Sequence, residues 1–373
     1  MSKKLRIAIL YNEPLGSGAD GRQFISETGK LQVEPPRAGG APRRRKAAVA
    51  LQQAPVDLSE IGVLQEMEDI RSALSMLGYA PTIFNVNGEA FRLIDYLRSE
   101  QPDLVFNLVE SVENDAVQEM NVAGLYDLLK IPYTGAGPLA LGTALQKSRV
   151  KEILASHGIR TPRHQEFHPS TRIALSEELT FPLIVKPAHE DGSVGVHDAS
   201  VVSSLTDLRK RVRFIFEEFE QPALVEQYIE GRELNVALLG WRSPVVFPVS
   251  EIDFSGLADG MHRIVSYEAK WLQGTVAYDG TRGVCPAQLT AAQEAEMKET
   301  ALRCFRLVGC RDYARVDFRM TDGGEIYVLE VNPNPDISDD AGFARSARAY
   351  GLTFAETVGK IVESALERTR AGC

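Results

Sequence analysis

Between Leu5 and Asn107 short apolar runs alternate with helical repeats, and that alternation leaves few folds open. Residues 5–11 are mostly apolar and β-branched, fit for a buried parallel strand. Ile61, Leu64, Met67, Ile70, Leu74 and Leu77 recur at helical spacing, and Gly78 supplies the stop. Residues 82–86 read as a strand, 90–98 as a helix and 103–107 as a third strand. Strand–helix alternation of this kind predicts an open parallel sheet, and such sheets take ligands at the carboxyl ends of their strands. Asn12, Glu13, Asn107 and Glu110 fall at those ends.

The stretch 16–55 interrupts the pattern. It carries Gly, Pro, Ser and Gln, and Arg43-Arg44-Arg45-Lys46 form a basic cluster. It reads as a flexible insertion, either a mobile lid or a disordered loop. The cluster is solvated charge or an interaction patch. A second segment begins near Lys147. Its expected elements are a helix over 147–157 stopped by Gly158, a strand over 181–186, a glycine-containing turn over 189–196, a helix over 205–219, and strands over 223–228 and 233–239. A third segment holds a helix over 290–308, strands over 312–320 and 325–331 joined at Asp322-Gly323-Gly324, and a last helix over 354–368. With 373 residues, two or three domains of ~150 residues are expected.

Charge narrows the partners. Lys and Arg number 41 against 51 Asp and Glu, a net charge of −10. An acidic surface opposes general nucleic-acid binding, which needs many phosphate contacts from Lys and Arg, and equally opposes an anionic membrane. No run of ~18 uncharged apolar residues predicts a transmembrane helix. The basic start has a short apolar run and no small-residue cleavage site, so it reads as a first strand rather than a signal peptide. Cys285, Cys304, Cys310 and Cys373 form no CxxC pair or metal spacing, and reduced thiols in a cytoplasmic protein are expected.

Chemistry concentrates in the 312–331 hairpin. Alternation puts Arg315, Asp317 and Arg319 on one face of their strand, and Glu330 and Asn332 on one face of its partner. Two carboxylates and an amide oxygen suit Mg²⁺ held beside substrate phosphates. The competing reading is an exposed polar strand face paired with Arg. Lys186 ends an apolar strand, where an ammonium is costly to bury without an anion. The nearby turn Asp191-Gly192-Ser193-Val194-Gly195 offers backbone N–H groups to a phosphate. Glu226 and Glu233 flank a strand end and suit a purine amine and ribose hydroxyls. The last two signals are each common and identify nothing alone.

In this order the three signals resemble the ATP-grasp superfamily, in its D-alanine–D-alanine ligase branch. The resemblance covers residues 103–360 and the first strand. It rests on Ile131-Pro132-Tyr133-Thr134-Gly135, Lys147-Ser148-Arg149-Val150-Lys151, Gly158-Ile159-Arg160-Thr161-Pro162, Ile184-Val185-Lys186-Pro187, Val225-Glu226-Gln227-Tyr228-Ile229-Glu230-Gly231-Arg232-Glu233, Tyr267-Glu268-Ala269-Lys270, Ala314-Arg315-Val316-Asp317-Phe318 and Glu330-Val331-Asn332-Pro333. It implies an α/β chain that is α+β in its nucleotide-binding part. The parts are an N-terminal open parallel sheet domain over 1–145, a central ATP-grasp subdomain over 146–240 and a C-terminal ATP-grasp subdomain over 241–373 that carries the metal site.

The resemblance implies ATP and one or two Mg²⁺, with Mn²⁺ as a substitute. Lys147 and Lys186 would contact phosphates. Glu226 and the backbone through Gln227, Tyr228 and Ile229 would hold adenine, and Glu233 the ribose. The Ser193 loop would close over the phosphates and Lys270 would reach the γ-phosphate. Asp317, Glu330 and Asn332 would hold the metal, and Arg315 would stabilise charge on the carboxyl group under attack. ATP would phosphorylate a carboxylate to an acyl phosphate, an amine would attack, and phosphate would leave. The implied partners are a small-molecule carboxylate and amine, amino acid or peptide, with a homodimer as the family habit.

The departures lie on the substrate side. Gly192 stands where the family has the first serine of its loop, and Trp271 where it has tyrosine. Asp336 replaces a glycine and Ala341 a serine. The family's N-terminal Gly-Gly turn is absent. A site built around one polar group discriminates strongly against analogues lacking it, so these changes predict an altered substrate pair. The alternatives are an authentic D-alanine–D-alanine ligase of cell-wall synthesis and a non-catalytic nucleotide-binding protein. Asp336, Asp339 and Asp340 are either contacts for a cationic amine or a solvated acidic loop.

Overall fold

The computed structural model describes residues 4–12, 22–25, 31–34, 58–112, 115–339 and 341–372. Glu13, Asp340 and most of the 16–55 insertion, with its basic cluster, lie outside them. Within the insertion, Arg22–Ile25 and Leu31–Glu34 form an antiparallel pair.

The first three long strands form a parallel sheet in the order Ala80–Asn85, Arg6–Tyr11, Leu104–Leu108. Period-two alternation in the central strand sorts its side chains to two cores. Ile7, Ile9 and Tyr11 meet Ile70, Ala73 and Leu74 of helix Leu58–Met76, together with Val358, Ile361 and Val362 of the last helix, Phe354–Arg370. Ala8 and Leu10 face Leu93 and Leu97 of helix Ala90–Glu100 and Val122, Ala123 and Tyr126 of helix Gln118–Leu129. The C-terminal helix therefore closes on the N-terminal sheet. Its start is fixed by a capping box in which Thr353 and Glu356 exchange hydrogen bonds.

A second, antiparallel sheet runs His164–Phe167, Ala223–Gln227, Leu183–Pro187, Val201–Val202, with helix Leu205–Phe219 packed on it. A third sheet of six strands runs Arg282–Val284, Ser250–Asp253, Arg232–Leu239, Tyr313–Met320, Ile326–Asn332, with Val245–Val246 beside Arg232–Leu239. Helices Lys147–Ser156 and Ala291–Val308 cover one face of this sheet through Val150, Leu154, Met297, Ala301 and Phe305. The strand Arg232–Leu239 precedes the expected boundary at 240 but lies in the third sheet. Leu234, Val236 and Leu238 point into the core that the helices cover, which explains why a strand following the second sheet joins the third.

Gly231 is the joint between these two sheets. Its φ is +142°, and an added Cβ would stand 2.1 Å from the Met320 carbonyl oxygen. Gly231→Ala is therefore expected to lose more than about 1 kcal/mol of stability, read as a lower urea midpoint at unchanged m.

Candidate active site

The hairpin Tyr313–Met320 and Ile326–Asn332 pairs Asp317 with Glu330 and Arg315 with Asn332, and the register shifts between Asp317 and Phe318. Arg315 grips Asp317 with two parallel bonds, Nε to Oδ1 at 2.7 Å and Nη2 to Oδ2 at 2.8 Å. Asn332 donates Nδ2 to Asp317 Oδ2 at 3.1 Å and to Glu330 Oε1 at 3.4 Å. Burial, offset only in part by Arg315, raises the Asp317 carboxyl above its ordinary range. Burial also acts upward on Glu330, but Lys147, Lys186 and Arg315 overcome it and hold that carboxyl at about 2.

Two carboxylates pressed together inside the protein fit a divalent cation. The set is lean, however. Among the described residues no group of three or more His, Cys, Asp or Glu gathers as metal ligands. Asn332 would have to turn its amide oxygen inward, and phosphate oxygens and water would complete a hexacoordinate Mg²⁺.

Helix Lys147–Ser156 supplies two buried lysines one turn apart. Lys147 donates to the Glu190 carbonyl at 2.6 Å and to Asp191 Oδ1 at 2.7 Å. Burial lowers its pKa, but Asp191 and Glu330 raise it further. Lys151 pairs with Glu226 Oε1 at 2.7 Å, and Lys186 pairs with Glu226 Oε2 at 2.8 Å. Glu226, expected against adenine, thus stands between two ammonium groups. They outweigh its burial and hold it at about 2. Glu233, expected against a ribose, pairs with Arg319 at 2.8 Å. Arg319 also donates to the Gly231 carbonyl, so it serves the 227–233 segment rather than the Asp317 pair. Ile229 is buried and Tyr228 lies edge-on to His262.

The glycine turn is fastened to the 262–271 segment. Gly192, Ser193 and Gly195 have φ of 63°, 64° and 70°. Ser193 Oγ donates to the Val265 carbonyl at 2.8 Å, and Trp271 Nε1 to the Gly192 carbonyl at 2.8 Å. His197 Nδ1 lies 2.6 Å from Glu268 Oε1, and the Tyr267 amide donates to the Val196 carbonyl. Lys270 stacks its ammonium 4.6 Å from the centre of the Trp271 ring.

On the substrate side, Asp336 accepts from the amide and hydroxyl of Ser338. Asp339 is paired with Arg348, and Ala341 caps the helix Gly342–Tyr350 without a side-chain bond. A small cavity at the carboxyl ends of the parallel strands is lined by Glu66, Asn107, Glu110, Glu119, Tyr313 and Asn334. Burial first, then neighbouring carboxylates, push Glu66 and Glu119 well above their ordinary range. Of these, Asn107 and Glu110 were legible as strand ends. Glu66 and Glu119 carried no local signal, and Lys151, though part of the 147–151 piece, was given no role, because their partners come from distant segments. Among the described residues, no helix is long and apolar enough to cross a membrane.

The fold has solved counterparts. The crystal structure of D-alanine–D-alanine ligase from Bacillus anthracis complexed with ATP superposes with a TM-score of 0.70 at 20% identity, over 99% of this chain and 100% of that one. The fold is that of an ATP-grasp ligase. In sequence, the family described as D-ala D-ala ligase C-terminus matches residues 154–363. A D-alanine–D-alanine ligase of Desulforudis audaxviator is 33% identical over 80% of this chain and 91% of its own length. An uncharacterised protein of Sinorhizobium fredii is 31% identical over 71% of this chain and 75% of its own length. The chain belongs to the D-alanine–D-alanine ligase family, as an enzyme that joins carbon to nitrogen.

Proposed function

We propose that the chain is an ATP-dependent carboxylate–amine ligase that forms an amide or peptide bond through an acyl phosphate. One observation carries the reading. Lys147, Lys186 and Arg315, from three separate elements, all bear on the Glu330 carboxyl, which stands opposite Asp317 in register. A carboxylate and a triphosphate repel, so a ligase of this type needs converging cations to hold them in line. In this reading Lys147 gives up Asp191 for the triphosphate, and Lys186 and Lys270 bind phosphates. Residues 226–229 flank adenine and Glu233 takes the ribose. Arg315 faces the carboxyl group under attack, and Ser193 with its loop excludes water, which would otherwise hydrolyse an acyl phosphate. Mg²⁺, held by Asp317, Glu330 and Asn332, supplies charge neutralisation at the phosphates. The three parts are 1–145, 146–240 and 241–373, with the strand Arg232–Leu239 built into the last.

The substrate pair is proposed to differ from two D-alanines. Trp271 bonded to Gly192, Ala341 without a cap side chain, and the acidic cavity beside Asp336 support a rebuilt amino-acid half. The relative named D-alanine–D-alanine ligase, matched over 80% of this chain, supports the second reading, an authentic enzyme of that name. Phosphate release from ATP and Mg²⁺ separates them when D-alanine alone is compared with a panel of amino acids and dipeptides, products being read by mass spectrometry. The expected result is a signal at least ~10-fold stronger elsewhere on the panel than with D-alanine. D-alanyl-D-alanine as the dominant product selects the second reading. ATP binding without phosphate release anywhere on the panel leaves a nucleotide-binding protein.

A further inference from the structure

Lys151 is more deeply buried than either lysine assigned to the phosphates, at 1% exposure against 6% for Lys147 and 14% for the Lys186 side chain. Its ammonium touches three separate segments. It pairs with Glu226 Oε1 at 2.7 Å on the second sheet. It donates to Thr161 Oγ1 at 3.2 Å and to the Leu329 carbonyl at 2.8 Å, one residue before Glu330 on the third sheet.

An ammonium removed from water needs compensation, and Lys151 draws it from these three partners, although burial still holds its pKa below the ordinary lysine value. The consequence falls on Lys186. Glu226 carries one negative charge, and Lys151 and Lys186 carry two positive ones. The buried triad therefore holds one net positive charge. Because Lys151 neutralises Glu226, the charge of Lys186, the least buried of the three, is left over.

We propose that Lys151 is a positioning residue for the ATP half of the site. By occupying one oxygen of Glu226 it leaves Lys186 fixed in place yet electrostatically free for a phosphate. Through the Leu329 carbonyl it ties the strand of Glu330 to the sheet of Lys186. Without Lys151, Glu226 and Lys186 would close on each other as a neutral pair, and the phosphate would compete with a buried carboxylate. The inference rests on the reading of the chain as an ATP-dependent ligase, and it concerns a residue that touches no substrate.

The test is equilibrium binding to the full chain by titration calorimetry in the presence of Mg²⁺, with ATP, inorganic tripolyphosphate and adenosine as separate probes. Thermal melting is followed in parallel. Lys151→Met is expected to weaken ATP and tripolyphosphate roughly 10-fold or more, the size of one charge-assisted bond, while adenosine binding holds. Lys151→Arg, which keeps the charge, is expected to stay within about 3-fold of the unaltered protein for all three probes. If Lys151→Met does not fold, Lys151→Gln carries the same expectation, since it retains a donor for the Leu329 carbonyl. A folded Lys151→Met or Lys151→Gln that binds ATP normally overturns the proposal. So does a variant that loses adenosine as much as tripolyphosphate, because that marks a merely structural role. Absence of ATP binding by the unaltered protein instead overturns the ligase reading, and this proposal with it.

Discussion

Asp317→Asn and Glu330→Gln are each expected to cut ATP-dependent phosphate release by about 10³-fold, while melting temperature changes little. The activity loss follows from charge. Each variant removes one of the two carboxylates proposed to hold Mg²⁺ against the phosphates, and loss of a preorganised electrostatic contact costs about 10²–10³ in turnover. The preserved fold follows from the same geometry. Burial raises the Asp317 carboxyl, and Glu330 stands opposite it in register, so neutralising either one relieves the repulsion between them, which for Glu330→Gln offsets part of the attraction lost to Lys147, Lys186 and Arg315. The side-chain amide introduced by Asp317→Asn would keep an oxygen for the bond from Arg315 Nε, now 2.7 Å from Asp317 Oδ1. Phosphate release is measured over a range of Mg²⁺ concentrations, with melting followed by circular dichroism. Turnover near that of the unaltered protein in either variant would falsify the metal assignment.

Arg368→Leu is expected to lose about 3–5 kcal/mol of stability, because it strands a buried charge. Asp312 is fully buried. Its Oδ2 accepts from Arg368 Nη2 at 2.9 Å and from the Gly135 amide at 3.0 Å, and its Oδ1 accepts from Ser364 Oγ at 2.9 Å. Arg368 also donates to the Tyr133 carbonyl at 2.6 Å. One carboxylate thus joins the end of the N-terminal part, the entry to the strand of Arg315, and the last helix. Asp312→Asn in the Arg368→Leu background is expected to recover part of the loss, since it removes the uncompensated charge. Urea denaturation of the two variants measures both effects. A loss below about 1 kcal/mol in Arg368→Leu would show that water or a rearranged partner satisfies Asp312.

The sequence carried most of what repeats at short range. Helical spacing from Ile61 to Leu77 and the β-branched run 5–11 became the helix Leu58–Met76 and the strand Arg6–Tyr11. The hairpin of Asp317 and Glu330 could be placed because a period of two and a turn at Asp322-Gly323-Gly324 announce two paired strands, but the register shift between Asp317 and Phe318 that sets Asp317 opposite Glu330 carried no such signal. Pieces without such a signature did not emerge. The short strands Ser250–Asp253 and Arg282–Val284 have neither length nor alternation to announce them. The helix Gly342–Tyr350 begins at Ala341 with no capping side chain.

The family and the identity of its charged residues were therefore properties of the sequence alone, since spacing within a strand or turn is a local matter. Partnership was not. That Glu226 would sit between Lys151 and Lys186, that Asp191 would lie on Lys147, that Arg319 would take Glu233 rather than join Asp317, and that Asp312 would bind Arg368 are outcomes of sheet pairing and helix docking. Each unites residues far apart in the chain. A buried charge takes whichever opposite charge the packed fold brings within reach, and only the tertiary structure decides which one that is.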